Sequence, residues 1–214
     1  MTDEATIQVE RGEVIAADVG GEAELGVVVF AHGSGSSRHS PRNREVAEVL
    51  QQSGFQTVLV DLLTQNEEQT DRQTREHRFD IDLLTDRVLA TIEWLRDEVP
   101  DAPLGLFGAS TGAAAALRAS AAKPEETNAV VSRGGRPDLA GEALTEIESP
   151  TLLIVGGNDP QVLQLNQSAL AKLNEASSLE VVPGASHLFE EPGTLDQVAR
   201  LAAAWFRRHL GAAI

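Results

Sequence analysis

The chain carries short apolar runs at regular intervals: Gly26–Ala31 (GVVVFA), Phe55–Val60 (FQTVLV), Leu104–Phe107 (LGLF) and Pro150–Val155 (PTLLIV). Runs of this length, rich in β-branched and large apolar residues, mark strands buried on both faces. Shorter candidates lie at Ala129–Val131 and Leu179–Val182. Between them the spacing changes to a helical one. Pro41–Gln52 places Val46, Ala47, Val49 and Leu50 on one face and stops at Gly54. Ile81–Glu98 does the same with Leu84, Val88, Ile92 and Leu95 before Pro100. Leu163–Asn174 and Thr194–Leu210 are the last two helices, the second with Val198, Leu201, Ala202, Trp205 and Phe206 apolar. Ahead of all these, Thr6–Glu10 and Val14–Val19 predict a hairpin around Arg11-Gly12. One stretch has no pattern. Thr64–Asp80 is almost wholly polar, and the expectation is a solvated loop, long enough to act as a mobile flap.

Strands that alternate with helices predict one α/β domain, a mostly parallel sheet covered on both faces. Crossovers should be right-handed, and ligands should bind at the carboxyl ends of the strands. Six residues with useful chemistry follow predicted strand ends: His32, Asp61, Ser110, Arg133, Asp159 and His187. They should converge on one rim.

Composition narrows the classes. The chain has 214 residues, enough for one domain with a sizeable core. It has no cysteine, so disulfides, thiol nucleophiles and thiolate metal sites are excluded. Lys+Arg is 17 against Asp+Glu 33, a formal charge of −16, which argues against nucleic acid as a partner. The acidic start, Met1-Thr2-Asp3-Glu4, has no apolar targeting core, and no run reaches membrane-spanning length. The expectation is a cytoplasmic protein without a membrane partner. Only Lys123 and Lys172 are lysines, which fits a salt-adapted host or a codon-biased one equally.

The candidate chemistry centres on Gly108-Ala109-Ser110-Thr111-Gly112. An apolar run ends just before it, and the small residues Ala113–Ala116 follow it. Strand, sharp turn and helix make the context of a nucleophile elbow. A serine hydroxyl needs a base to take its proton, and the base needs a carboxylate behind it. Asp159 follows the Pro150–Val155 strand in a Gly-Gly-Asn-Asp-Pro turn, and His187 follows the last strand. Asp61 and Asp138 compete as the acid, but Asp61 precedes the serine and is expected to cap the next turn, while Asp138 resembles a helix start. Among the other histidines, His32 should shape its loop by hydrogen bonding, and His77 and His209 suit solvated roles.

The carbonyl under attack becomes an oxyanion and needs prepared donors. The Thr111 amide is one, at the start of a helix. The other should come from His32–Ser37, with Ser34 first and Gly35 next. Arg38, His39 and Arg42 crowd the entrance of the following helix, and Arg133 and Arg136 flank the strand next to the serine. Gly35, Arg38 and Arg133 are the candidate substrate contacts; salt bridges to neighbouring carboxylates are the alternative for the arginines.

These residues carry a resemblance. Ala31–Gly35 with Ser36–Asn43, Val60–Thr64, Gly108–Gly112, Gly156–Asp159 and Gly184–Phe189 together resemble the α/β-hydrolases, and within them the dienelactone hydrolase-like group, over about Val14 to Leu210. One departure stands out: dienelactone hydrolases proper carry cysteine at the elbow, where this chain has Ser110. The resemblance implies a serine esterase or lipase-like hydrolase that needs no metal or other cofactor. Ser132–Ser149 is too short for the cap domain that many α/β-hydrolases insert there, so an open site and a small ester substrate are expected. Alternatives are an acyltransferase or peptidase with the same triad, or a hydrolase-fold binding protein. A homodimer through the exposed hairpin edge is a further possibility.

Overall fold

A computed structural model describes residues 2–10 and 12–211. The sheet has eight strands in the order β1-β2-β4-β3-β5-β6-β7-β8. They are β1 (Thr2–Glu10), β2 (Glu13–Gly20), β3 (Gly26–Ala31), β4 (Phe55–Val60), β5 (Leu104–Ala109), β6 (Ala129–Arg133), β7 (Thr151–Gly156) and β8 (Ser178–Val182). β1 and β2 form the expected hairpin, of which Arg11 lies outside the described residues, and β2 joins β4 antiparallel. All other pairings are parallel.

Burial follows from the strand pattern. β3, β5, β6 and β7 are buried at every position. Alternate residues of β3 then divide between two cores, as the period-two geometry of a strand requires. Val27, Val29 and Ala31 meet Leu84, Val88, Ile92 and Leu95 of α3 (Ile81–Glu98) and the small residues of α4 (Thr111–Ala122). Val28 and Phe30 meet Val46 and Leu50 of α1 (Pro41–Gln52) and Val198, Ala202 and Phe206 of α6 (Thr194–Leu210). Phe30 stacks on Phe107 at 4.7 Å within that second core.

Two elements differ from expectation. Thr64–Asp80 is not a loop. It forms α2 (Gln65–Thr74) and a 3₁₀ turn at His77–Phe79. Thr64 and Glu67 make a capping box, and the Asp71 carboxylate, buried, accepts from the backbone of His77 and Arg78 and from Arg78 Nε. Arg87 of α3, 2% exposed, reaches Glu67 at 2.6 Å and Glu10 at 3.3 Å. A helix that is polar all round is held by capping and ion pairs in place of an apolar stripe. The other shift concerns α5, which spans Pro160–Leu170. Asp159 caps it and Pro160 sits in its first turn, so it starts three residues before Leu163. The segment after β6 is a 3₁₀ run at Pro137–Thr145, and no cap domain is inserted there.

Candidate active site

Ser110 sits between β5 and α4 with φ 51° and ψ −119°, a left-handed conformation that a residue with a Cβ rarely adopts. Its neighbours have the bulk removed where the chain crosses. A Cβ on Gly108 would collide with the Ala113 backbone, and one on Gly112 with the carbonyl oxygens of Ala31 and His32. Both peptide groups of Ser110 are tied to the loop after β6: its N–H donates to the Arg133 carbonyl at 3.2 Å, and its carbonyl accepts from Arg136 N–H at 3.1 Å.

Asp159 and His187, read from the sequence as candidate acid and base, come together. Asp159 Oδ2 and His187 Nδ1 are 2.7 Å apart. The 39% exposed side chain of His187 opens to solvent, and that of Asp159, at 16%, is mostly buried. A Cβ on Gly134 would lie 3.6 Å from His187 Cε1, which puts the ring beside the loop that grips Ser110. No hydrogen bond joins Ser110 Oγ to His187 among the described residues. Asp159 also caps α5 through Val162 N–H, so one carboxylate serves both ends. Glu191 accepts from Ser186 N–H at 2.9 Å and fixes the turn that carries His187. Its five-residue offset from Ser186 gave no signal in the sequence.

Across the elbow lies the loop His32–Ser37. A Cβ on Gly33 would come within 3.1 Å of Ser110 Cβ, so the loop runs directly past the serine. The Thr111 N–H, first in α4, has no partner in its own helix. His32 acts as expected. Its Nε2 accepts from Leu62 N–H at 3.1 Å and its Nδ1 lies 2.9 Å from the Gly33 carbonyl, which assigns the proton to Nδ1. Burial lowers its pKa and keeps the ring neutral.

Several roles read from the sequence change. Asp61 does not cap the turn after β4; it accepts from Arg38 N–H and Arg38 Nη1 across the rim. Arg38 bonds Asp61, Asp18 and Glu4 with its three nitrogens and ties the hairpin to α1. That guanidinium is occupied, and the salt-bridge alternative is the one the structure shows. His209 is half-buried: its ring packs 4.5 Å from Trp205 with Nε2 buried. Asp138 begins the 3₁₀ run and pairs with Arg136 through two bonds of 2.7 and 2.8 Å. Arg133 is 7% exposed, with a single hydrogen bond to Asn43 Oδ1 at 3.2 Å.

A residue not anticipated from the sequence lines a cleft on the far side of the His32–Ser37 loop, which none of Ser110, Asp159 and His187 lines. This cleft of about 140 Å³ runs from Gly33, Ser34 and Gly35 to Leu62, Leu63 and Leu84, roofed by α2 and the 3₁₀ turn. Arg78 hangs over it. Asp71 holds Nε at 2.7 Å and Nη2 bonds the Asp71 carbonyl at 3.2 Å, while Nη1 has no partner among the described residues. Nη1 lies 3.1 Å from where a Gly35 Cβ would be. No group of three or more metal-ligating side chains occurs among the described residues.

A mostly parallel sheet in this strand order, with a strained serine after β5, an aspartate after β7 and a histidine after β8, defines an α/β-hydrolase. A model of the dienelactone hydrolase family matches residues 14–210, and the chain belongs to that family. A dienelactone hydrolase of Anabaena variabilis, solved by crystallography, is 50% identical, with TM-score 0.93 and 98% of each chain covered. The esterase Est1E of Butyrivibrio proteoclasticus (12% identical, TM-score 0.81, 96% and 98% covered) and an esterase of Pyrococcus furiosus (17%, 0.80, 99% and 92%) share the fold. A Mycobacterium tuberculosis protein that bears the name "Putative phosphoribosyl transferase" is 58% identical over 191 residues, which are 88% of this chain and 42% of that protein. The chain thus spans less than half of that relative's length. No helix among the described residues is long and apolar enough to cross a membrane.

Proposed function

We propose that this protein is a serine hydrolase that cleaves a small carboxylic ester, with a lactone or thioester open to the same chemistry. Ser110 Oγ attacks the carbonyl carbon and gives its proton to His187 Nε2. Asp159 holds the Nδ1 proton and stabilises the imidazolium. The Thr111 and Ser34 amides receive the oxyanion. The tetrahedral intermediate collapses to an acyl-enzyme, and His187 protonates the departing alcohol. Water, deprotonated by His187, then releases the acid and restores Ser110. The observation that carries this reading is the 2.7 Å contact of His187 Nδ1 and Asp159 beside a serine held at φ 51°.

The cleft beside Ser34 and Gly35 suits a small acyl group, and the free Nη1 of Arg78 favours a substrate with an anionic substituent. Dienelactone itself is not carried over, because Ser110 replaces the cysteine of dienelactone hydrolases proper. The enzyme is read as cytoplasmic, acting on a small molecule. We assign the phosphoribosyl transferase name to the part of the mycobacterial relative outside the match, since the match takes in 88% of this chain and only 42% of that protein.

The test is direct. Ser110→Ala should lower turnover of a p-nitrophenyl ester by at least about 10³-fold and abolish labelling by a fluorophosphonate. Near-normal turnover in that variant would overturn the assignment. A series of p-nitrophenyl esters of graded length should favour short acyl chains.

A further inference from the structure

Arg133 is out of place by ordinary rules. Buried arginines are paired with carboxylates. Arg133 is 7% exposed, and its Nε and Nη1 are buried without any partner. Its one bond is to a neutral group, the Asn43 side chain in the first turn of α1. No carboxylate pairs with it among the described residues, and the charge that acts on it is another cation, Arg42. Burial, and the Arg42 charge beside it, push the Arg133 guanidinium down to about 10, so it stays charged at neutral pH. Arg42 also has a buried, unpartnered Nε, and Glu190, an exposed residue, approaches it at 3.6 Å. A fold does not need this. A methionine would fill the same space without the cost of an unpaired buried charge.

Its position suggests what it is for. Arg133 pairs with Ala109, the residue before Ser110, and its carbonyl accepts the Ser110 N–H. A Cβ on Gly134, next in the chain, would lie 3.2 Å from the His187 carbonyl oxygen, so this backbone runs beside the histidine. Asn43 lies in the first turn of α1, the helix into which the loop from His32 leads. The guanidinium therefore sits among the serine, the histidine turn and the start of α1. Arg133 and Ala109 are register partners on strands about 4.8 Å apart, and with the reach of its side chain the charge lies on the order of 10 Å from Ser110, comparable to a Debye length and shielded from bulk water.

We infer that Arg133 supports the reaction through space: its unneutralised charge favours the negative charge that develops on the acyl oxygen at Ser110. It touches no substrate and transfers no proton. This rests on the serine-hydrolase reading above. At such a distance and an intermediate effective dielectric, the interaction amounts to about 10- to 50-fold in rate.

Arg133→Met removes the charge and keeps the length. The expected result is a folded protein with equal or higher Tm, a 10- to 50-fold slower burst of p-nitrophenol and KM within about twofold. Arg133→Lys, which keeps a cation, should recover most of the loss. A Met variant that acylates at the wild-type rate, a Met variant that fails to fold, or a Lys variant no faster than Met would each overturn the inference. So would a rise in wild-type Tm with inorganic phosphate that the Met variant lacks, because a bound anion would then neutralise the charge. If wild-type protein does not label with a fluorophosphonate, the serine-hydrolase reading falls and takes this inference with it. If wild type labels and Arg133→Met labels equally fast, only the inference falls.

Discussion

On one side of Ser110, β5, β6 and α4 meet through Gly108, Gly112, Ala113 and Gly135, and almost every contact is apolar or backbone. On the other side, the wall over Gly35 is α2 and the 3₁₀ turn, whose inner contacts are Asp71 with Arg78 and Glu67 with Arg87. The first wall is fixed by the absence of side chains and the second by charge. A wall of close-packed backbone has no intermediate settings, whereas a wall held by ion pairs answers to pH. The rigid one carries the groups read as chemical, and the responsive one covers the cleft read as the acyl site.

The largest effect should come from the rigid wall. Gly112→Ala forces a methyl into the Ala31 and His32 carbonyls, and nothing nearby is a flexible side-chain end. A loss of more than about 4 kcal/mol, or no folded protein, is expected in a denaturant titration. A stable Gly112→Ala protein would break the contrast.

The charged wall comes next. Asp71→Asn leaves Arg78 without its carboxylate and should cost about 3 kcal/mol, with KM rising more than kcat falls, because the roof of the cleft loosens. The same pair gives a pH dependence. Burial alone would raise the Asp71 carboxyl, but the backbone and side-chain bonds from Arg78 outweigh it and hold it below its ordinary 3.8. A depressed folded value means stability that is present above 3.8 and lost as pH falls further through the folded value. Acid titration followed by circular dichroism should show that loss shrink in Asp71→Asn. Equal acid profiles would mean that other carboxylates set it.

The smallest effect is the cap of α2. Thr64→Ala removes the acceptor for Glu67 N–H and should cost about 1 kcal/mol in Tm-derived stability, with kcat unchanged.

This contrast also explains what the sequence made legible. β3, β5 and β7 read correctly because strands buried on both faces leave continuous apolar runs. Ser110 and Asp159 each follow such a run, whereas His187 follows β8, a half-exposed strand, and was singled out by chain order; the structure places Asp159 and His187 2.7 Å apart. α2 was not, since its helix-forming information is electrostatic and its partners, Arg87 and Glu10, lie far off in the chain. The Thr64-x-x-Glu67 capping box was the available signal. That Arg38 would pair with carboxylates was weighed in the sequence, but not which ones, because Asp18 and Glu4 belong to the hairpin on the other side of β3 in sequence. α5 began earlier than its apolar spacing because Asp159 and Pro160 define a helix start without any apolar residue.

The strained turn at Ser110 has a consequence for how substitutions are tolerated. Two selections that look alike would part company over five adjacent codons. In a library screened only for folded, protease-resistant protein, Gly108 and Gly112 should admit nothing else, while Ser110 should drift, with glycine favoured because it relieves φ 51°. In the same library screened for turnover, the serine should become invariant and the two glycines should look no different from before. The residue most costly to the fold's backbone is then the one that the fold alone would discard.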